Sequence, residues 1–424
     1  MTDAVTDTAD PGYGKLTDDS FERSRKRIGV PIKLPNPPHN DEVSRDGVRH
    51  FAYGYGDDNP LYCDPDHAAG TRWAGLVAPP AFLYTMGHDA SPRPQPPENK
   101  AVLKGDPFAG LGSYQAVQGF EWWRPLRLGD ELLCLRSQVG VSDRTSDFGG
   151  RSAHVHHSFI YALPEGPLHA IRRGTWINAE RSATKERKKE HDLPEPYTPE
   201  QLAEIDAAYA AETRRGAEVR WFEDVEVGDA VDPKVKGPLT TTDVVVWHLG
   251  WGMQLTPPGS FRLAWKVRQK APGLYPPNGL NVPDTVQRLH WEPARAQELG
   301  LPTSYDYGAL REVWLTHLVT DWMGDDAWLW KLECQHRRFN FMGDTSWLSG
   351  EVVDKRQVEV DGGVRSEVHL EVRVTNQRGV VTSPGSAVVL LPSSEHGAVV
   401  LPEPPAPSIP EMLQYEIDRL AAGE

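Results

Sequence analysis

The chain has 424 residues, a net charge of −15 at pH 7 and no strongly basic run. This length exceeds what one compact core usually holds, so we expect two domains, and the acidic balance disfavours a nucleic-acid partner. Three widely spaced cysteines, Cys63, Cys134 and Cys334, disfavour both a disulfide framework and a structural zinc site. The sequence contains no recognisable signal peptide and no stretch of about 18 apolar residues, so we expect a cytoplasmic protein without a membrane-spanning helix.

Changes in composition divide the chain into five expected segments. They are a polar extension (residues 1–44), a first domain (45–180), a charged linker (181–217), a second domain (218–397) and a Pro-rich tail with a short helix (398–424). Towards the end of the linker, a run that begins at Pro199 is typical of a helix with proline in its first turn.

The two domains resemble divergent copies of one unit. In each copy, a polar loop and a short Ala-rich piece precede an apolar helix, and a Gly-Asp pair then stands between two alternating, strand-like runs. In the second copy, the apolar residues of ALREVWLTHLVTDWMG recur near helical spacing and predict one long helix. A long helix followed by antiparallel strands is an α+β pattern.

Each copy also carries a loop with a family resemblance. The first copy has GDDNPLYCD at residues 56–64, and the second has RLHWEP at residues 288–293. These stretches resemble the MaoC-like dehydratases, including their fungal-type-synthase branch, in which the loop reads Asp-x-Asn-Pro-x-His-x-Asp. In that family the Asp and His activate water, and a Gly N–H at the start of the hot-dog helix holds the thioester oxygen.

The resemblance implies an α+β double hot-dog fold, which is two tandem hot-dog domains, each with a long helix wrapped by an antiparallel sheet. The two sheets would be joined edge to edge. It also implies reversible hydration of a 2-enoyl thioester to a 3-hydroxyacyl thioester, carried by coenzyme A or an acyl carrier protein. This reaction needs no metal and no redox cofactor.

The first copy departs from the family pattern at both catalytic positions. It matches at Asp57, Asn59, Pro60 and Asp64, but Tyr62 stands in place of the His and Pro80 in place of the Gly. Proline has no backbone N–H and cannot donate to an oxyanion. We therefore interpret this copy as a non-catalytic half that shapes the acyl pocket, with Asp and Asn before Pro holding a turn.

The second copy keeps both positions, as His290 and as Gly308 directly before the long helix. A helix N-terminus leaves N–H groups free, and the pKa of His suits proton transfer near neutral pH. Thr285 occupies the family's Asp position, so Asp284, one residue away, is the candidate carboxylate if a bulge brings it into place. The weaker substitutes are Asp306 and Glu292.

Tyr305, Tyr307 and Arg338 are the candidate substrate-binding residues. The two tyrosines flank the expected oxyanion site, and Arg338 could contact a phosphate of coenzyme A; packing and a solvated strand edge are the structural alternatives. His317 and Asp321, four residues apart on the predicted helix, favour a hydrogen bond over a metal site. The unusual segment 251–285 would be either a cover over the substrate tunnel or a surface insertion.

The expected partners are an acyl-CoA or acyl-carrier-protein substrate and a second hot-dog subunit, in a homodimer or a heteromer. Neither nucleic acid nor a membrane is expected to bind. Two other functions stay open from the sequence. The chain could be a degenerate subunit that completes a partner's acyl pocket, which the Thr at position 285 favours, or a hot-dog thioesterase, which would release a free thiol.

Overall fold

The computed structural model describes residues 14–146, 150–180, 193–253 and 256–423. The start of the predicted N-terminal extension and the first twelve residues of the predicted linker lie outside these ranges. In the described ranges, the strands form one 11-stranded sheet, antiparallel except for one short edge strand. No helix in these ranges combines the length and the apolar character that crossing a bilayer requires.

The described residues of the first half form five short helices and six strands. The helices are α1 (Asp18–Arg25), α2 (Arg45–Gly54), α3 (Pro60–Cys63), α4 (Pro65–Ala69) and α5 (Pro97–Leu103). The strands are β1 (Pro31–Ile32), β2 (His88–Asp89), β3 (Gly112–Trp122), β4 (Leu133–Ser146), β5 (Gly150–Ala162) and β6 (Leu168–Ala179). Their order in the sheet is β1-β4-β5-β6-β3, with β2 beside β4.

The second half repeats this plan and adds helices before and after it. Its helices are α6 (Pro199–Ala211), α7 (Thr241–Trp251), α8 (Arg262–Lys270), α9 (Pro293–Glu298), α10 (Gly308–Met323) and α11 (Ile409–Ala421). Its strands are β7 (Ala230–Lys236), β8 (Trp328–Gln335), β9 (Ser346–Val360), β10 (Gly363–Asn376) and β11 (Val381–Leu391). Thr198 caps α6, and Pro199 occupies the first turn as its position in the sequence predicts.

The two half-sheets are joined edge to edge through β3 and β8. These strands pair antiparallel from Val117 opposite Gln335 to Glu121 opposite Lys331. The junction removes two exposed edges that would otherwise be open to pairing with other chains. The α+β double hot-dog architecture expected from the sequence is thereby confirmed.

The long helix predicted in the second half is α10, and it is the centre of the molecule. Every residue after Gly308 in this helix is buried, which is typical of a helix surrounded by protein on all sides. It packs against β7, β8, β9, β10 and β11. Because α10 also carries charged side chains, each of them needs a partner inside the fold.

The corresponding helix of the first half is reduced to a six-residue 3-10 helix, Pro80–Thr85. The chain leaves this turn at Gly87, whose φ of +110° favours glycine. A Cβ at this position would also lie 2.6 Å from the Cβ of Cys134. The two halves therefore share a sheet topology but differ in their central helix.

The C-terminal helix α11 covers the outer face of the first half-sheet. Met412 is fully buried beside Trp123 and Ile160. The Arg173 Nε atom donates to the Glu416 carboxylate at 2.9 Å. With its outer face covered by α11, the first half-sheet turns its inner face towards α10.

Candidate active site

A large cavity lies between the N-terminal end of α10 and the inner face of the first half-sheet. Its volume is about 1620 Å³, which exceeds the usual range for small-ligand pockets and leaves room for an acyl thioester. Gly308 and His290 form part of its wall at one end, and side chains of β4, β5 and β6 form another part. Both halves of the chain therefore build one site.

His290 ends the 3-10 turn Val286–His290, and its ring is largely buried. The Nδ1 atom lies 2.9 Å from the Tyr305 carbonyl oxygen, and the ring lies over Tyr307 with centroids 3.8 Å apart. A carbonyl can only accept, so Nδ1 carries the proton and Nε2 keeps its lone pair. Burial lowers the pKa of His290 to about 4, so the neutral base form is present at pH 7.

Gly308 is the first residue of α10, and its position leaves its N–H available. Tyr307 precedes it without capping the helix through its side chain, and no described residue accepts the Gly308 N–H. A Cβ at Gly308 would lie 3.1 Å from His336 Nε2, so glycine gives the backbone room there. A helix N–H that faces a cavity is suited to hold a developing negative oxygen.

The structure does not bring Asp284 to His290. The Asp284 Oδ1 atom accepts from the Thr285 N–H at 2.7 Å, while the Thr285 hydroxyl lies 3.3 Å from that of Thr256. Among the described residues, no carboxylate forms an ion pair with His290 within 4.0 Å. The role of Asp284 as the acid–base partner of His290 therefore stays a prediction, and the contacts of Asp284 in this structure do not support it.

The two weaker substitutes are also engaged elsewhere. The Glu292 carboxylate lies 2.9 Å from Arg288 Nε, and the Asp306 carboxylate lies 2.9 Å from Arg311 Nε. Burial raises the pKa of Asp306 to about 6, against the opposing effect of Arg311. Both carboxylates are therefore tied into the walls that hold the His290 loop and the start of α10.

Glu312, one turn after Gly308 on α10, also belongs to the site, although no sequence motif indicated it. It accepts from Gln115 Nε2 at 2.8 Å, lies 2.9 Å from His336 Nε2 and accepts from the Tyr84 hydroxyl. A Glu in the helix predicted to lie at the centre of the second half was the signal available, because a buried carboxylate requires several hydrogen-bond donors. This cluster ties α10 to the first half beside Gly308.

The three predicted substrate-binding residues all line the same cavity. The Tyr307 hydroxyl lies 3.0 Å from His248 Nε2. The Tyr305 ring packs against Phe339, with centroids 4.8 Å apart. Arg338 is exposed and lies beside these aromatic residues in sequence, so its guanidinium is open to solvent as well as to the cavity.

Segment 251–285 divides into two parts with different surroundings. Trp251, Met253 and Pro258 contribute to the cavity wall. Helix α8 has no buried residue and contributes nothing to that wall. The first part thus reshapes the cavity, while α8 lies on the surface, where Trp265 and Lys266 are exposed.

The first-half motif lies against the C-terminal part of α10, inside a buried network. Asp57 accepts from the Tyr55 hydroxyl at 2.8 Å and from the Asn59 N–H at 2.9 Å. His317 Nε2 lies 3.6 Å from Asp57 and 3.2 Å from the Asp321 carboxylate. The predicted hydrogen-bonding relation between His317 and Asp321 is thus part of a larger network.

Two lysines of β7 complete this network. Lys236 Nζ lies 3.0 Å from His317 Nδ1, and Lys234 Nζ lies 2.6 Å from Asp321. Asp57, His317 and Asp321 are close enough together to hold a cation, but the lysine ammonium groups already supply positive charge to the carboxylates. Beside Tyr62 and Pro80, the remaining space is only about 40 Å³.

A protein-family model matches most of the first half of the chain. Residues 28–155 match the model of the FAS1-like dehydratase domain region. A UPF0336 protein of Parafrankia sp. is 37% identical over 143 residues, which are 32% of this chain and 85% of that protein. A UPF0336 protein of Streptomyces avermitilis is 35% identical over 101 residues, 23% of this chain, and the match spans 60% of its length.

The solved structures extend the likeness to both halves. A MaoC-like dehydratase aligns with a TM-score of 0.56 and 17% identity, covering 87% of this chain and 99% of that one. A MaoC domain dehydratase of Chloroflexus aurantiacus aligns with a TM-score of 0.51 and 12% identity, covering 87% and 96%. At these identities the likeness is one of fold.

Proposed function

Since the chain belongs to the UPF0336 family and has the double hot-dog fold of MaoC-like dehydratases, we propose that it is a hydro-lyase that reversibly hydrates a 2-enoyl thioester. The product is the 3-hydroxyacyl thioester. The observation that carries this proposal is that His290 and Gly308 form part of the wall of one cavity. The dehydratase-region match over residues 28–155 supports the same reaction class.

His290 acts as the base through Nε2. The Tyr305 carbonyl holds the proton on Nδ1, so the free lone pair accepts a proton from water as the water oxygen bonds to C3 of the substrate. The same proton then passes from Nε2 to C2, which completes the addition. One imidazole therefore serves both proton transfers, and no net proton is gained or lost.

Gly308 stabilises the intermediate charge. Attack at C3 pushes electrons towards the thioester carbonyl, whose oxygen becomes enolate-like. The Gly308 N–H donates to this oxygen from the positive end of α10. Donors of this kind act most strongly where charge develops, so the largest benefit falls on the transition state.

Tyr305 and Tyr307 hold the acyl group beside His290, because both rings pack against that imidazole. Arg338 binds a phosphate of coenzyme A or of an acyl-carrier-protein prosthetic group. An exposed guanidinium near the cavity suits such a contact, since it can form paired hydrogen bonds to phosphate oxygens.

The direct test is an assay of the purified full chain with trans-2-enoyl-CoA thioesters whose chains end in a methyl or a carboxylate group. We expect loss of the enoyl absorbance and a product heavier by one water. A parallel assay for free thiol separates the thioesterase alternative. No reaction with any member of the panel, in either direction, would contradict the proposal.

A second candidate is a non-catalytic subunit that completes a partner's acyl pocket. The observation that favours it is the absence of an ion pair between His290 and any described carboxylate. Thioester binding by the isolated chain without turnover, and activity only after a second hot-dog protein is added, would establish this reading instead.

A further inference from the structure

Two arginines stand side by side on the inner face of the first half-sheet. Arg136 on β4 pairs with Phe159 on β5, and Phe159 pairs with Arg172 on β6. Both guanidinium groups lie over the Phe159 ring, at 5.5 Å for Arg136 and 3.7 Å for Arg172. Residues in register on adjacent strands share a face, and all three side chains line the large cavity.

Neither arginine has a carboxylate partner. Among the described residues, no Asp or Glu lies within 4.0 Å of either guanidinium. The Nε atoms of both side chains are buried without a hydrogen-bond acceptor. The polar groups that act on Arg172 are the Tyr161 and Tyr84 hydroxyls and the Cys134 thiol, so the groups in contact with it supply dipoles rather than a carboxylate.

The two positive charges of this arginine pair have no carboxylate in contact to balance them within the described parts of the chain. Burial and the charge of Arg172 lower the pKa of Arg136 to about 10. Both groups still carry a full positive charge at neutral pH. Two like charges in an enclosed space cost free energy unless an opposite charge is present. Among the described residues, the buried Arg288 and Arg311 have such partners in Glu292 and Asp306.

The arginine pair is connected to the proposed reaction site along one wall of the cavity. Arg172 lies 4.8 Å from the Tyr84 ring, and Tyr84 donates to Glu312. Glu312 follows Gly308 by one helical turn. An acyl chain whose carbonyl lies at Gly308 can therefore run past Tyr84 towards Arg172, with Phe159 and Tyr161 beside it.

We propose that Arg136 and Arg172 bind a carboxylate at the far end of the acyl chain, so that the substrate is the thioester of a dicarboxylic acid. This inference rests on the proposed function for the position of the thioester. A phosphate of the carrier offers the same anionic oxygens. The exposed Arg338 already offers a phosphate contact, which leaves the enclosed pair for the acyl group.

Binding of saturated thioesters tests the inference without requiring turnover. Saturated chains cannot be hydrated, so their affinity is independent of the hydratase proposal. We expect suberoyl-CoA to bind the full chain at least tenfold more tightly than octanoyl-CoA in calorimetry, and adipoyl-CoA more tightly than hexanoyl-CoA, because paired guanidinium–carboxylate hydrogen bonds form in an enclosed site.

Substitutions locate the effect. Arg172→Gln and Arg136→Gln should each remove most of the preference for the carboxylate-ended thioester, and Arg172→Lys, which keeps the charge but not the fork, should remove part of it. Arg144→Gln is the matched control, because Arg144 lies on the same strand as Arg136 but is exposed. Thermal unfolding checks that each variant is folded.

Two results would overturn the inference. Equal affinity of the wild-type chain for both chain ends would show that no carboxylate site exists. An equal loss for both thioesters in Arg172→Gln would assign the pair to a carrier phosphate. Dicarboxylic selectivity without hydration of any enoyl thioester would retain the binding site while contradicting the proposed function.

Discussion

The two motif loops of this chain lie along the same helix and have opposite surroundings. The first-half loop at Asp57 lies near the C-terminal part of α10, where His317, Lys236 and Asp321 fill the space. The second-half loop at His290 lies near the N-terminal end, where the cavity opens. Once a hot-dog half has lost its histidine and its oxyanion donor, nothing requires its cavity, and buried ion pairs can occupy the space.

The motif loop and the sheet of the first half have different relations to the cavity. Its motif loop is closed, but the inner face of its sheet forms part of the cavity wall. The first half therefore shapes the cavity, while its lack of a catalytic role stays a prediction. Substitutions in both halves and a pH profile test this contrast.

Substitution His290→Ala should reduce kcat/KM by about 10²–10⁴-fold, since it removes the proposed acid–base group. Tyr62→Phe is the matched control at the corresponding first-half position, and we expect its kcat/KM to stay within about threefold of wild type. Steady-state hydration assays give both values, and circular dichroism checks the fold. Similar losses in both variants would make the first half part of the catalytic machinery.

Substitution Gly308→Pro should reduce kcat/KM by about 10²–10³-fold, because it removes the proposed oxyanion donor while a helix tolerates proline at its first position. It reproduces the situation of Pro80 in the first half. Gly308→Ala keeps the N–H and adds a Cβ that would lie 3.1 Å from His336 Nε2. The alanine variant should therefore lose less activity, and equal losses would assign the effect to crowding.

The pH profile tests the state of His290. Because burial lowers its pKa to about 4, the neutral base persists well below the ordinary titration range of histidine. We expect kcat/KM to stay level from neutral pH to about pH 5 and to fall roughly tenfold per pH unit below the pKa. Recovery of activity after return to pH 7 excludes unfolding. A half-loss near pH 6.5 would contradict the assignment.

Substitution Asp57→Asn should leave kcat/KM within about threefold of wild type and lower the free energy of unfolding by about 1–3 kcal/mol. The reason is that the Asp57 carboxylate offsets the positive charge of the buried Lys236 and lies close to the polar ring of His317. Denaturant unfolding and the hydration assay together measure both quantities. A loss of activity comparable to that of His290→Ala would show that the first-half loop works in catalysis.

Much of the fold followed from periodicity. The helical spacing around Leu310 and Trp314 predicts α10, and the alternating runs around the Gly-Asp pairs predict long antiparallel strands. The first-half helix did not follow, because the largely apolar run after Pro80 can begin a helix, but Gly87 and the prolines beyond it end it after six residues. Local composition could have limited its length, although not its 3-10 geometry.

The residue types at the motif positions can be read from the sequence: His290 and Gly308 in one copy, Tyr62 and Pro80 in the other. These identities set which copy can transfer a proton or donate to an oxyanion, because that ability belongs to the side chain or the N–H itself. The surroundings of these residues depend on how the chain folds. Asp284 is close to His290 in sequence, but its carboxylate accepts a hydrogen bond from the Thr285 N–H. Arg136 and Arg172 are 36 positions apart, yet both contact the ring of Phe159, which lies on the strand between theirs. Charge interactions depend on distance in space and on burial, and both are properties of the folded chain.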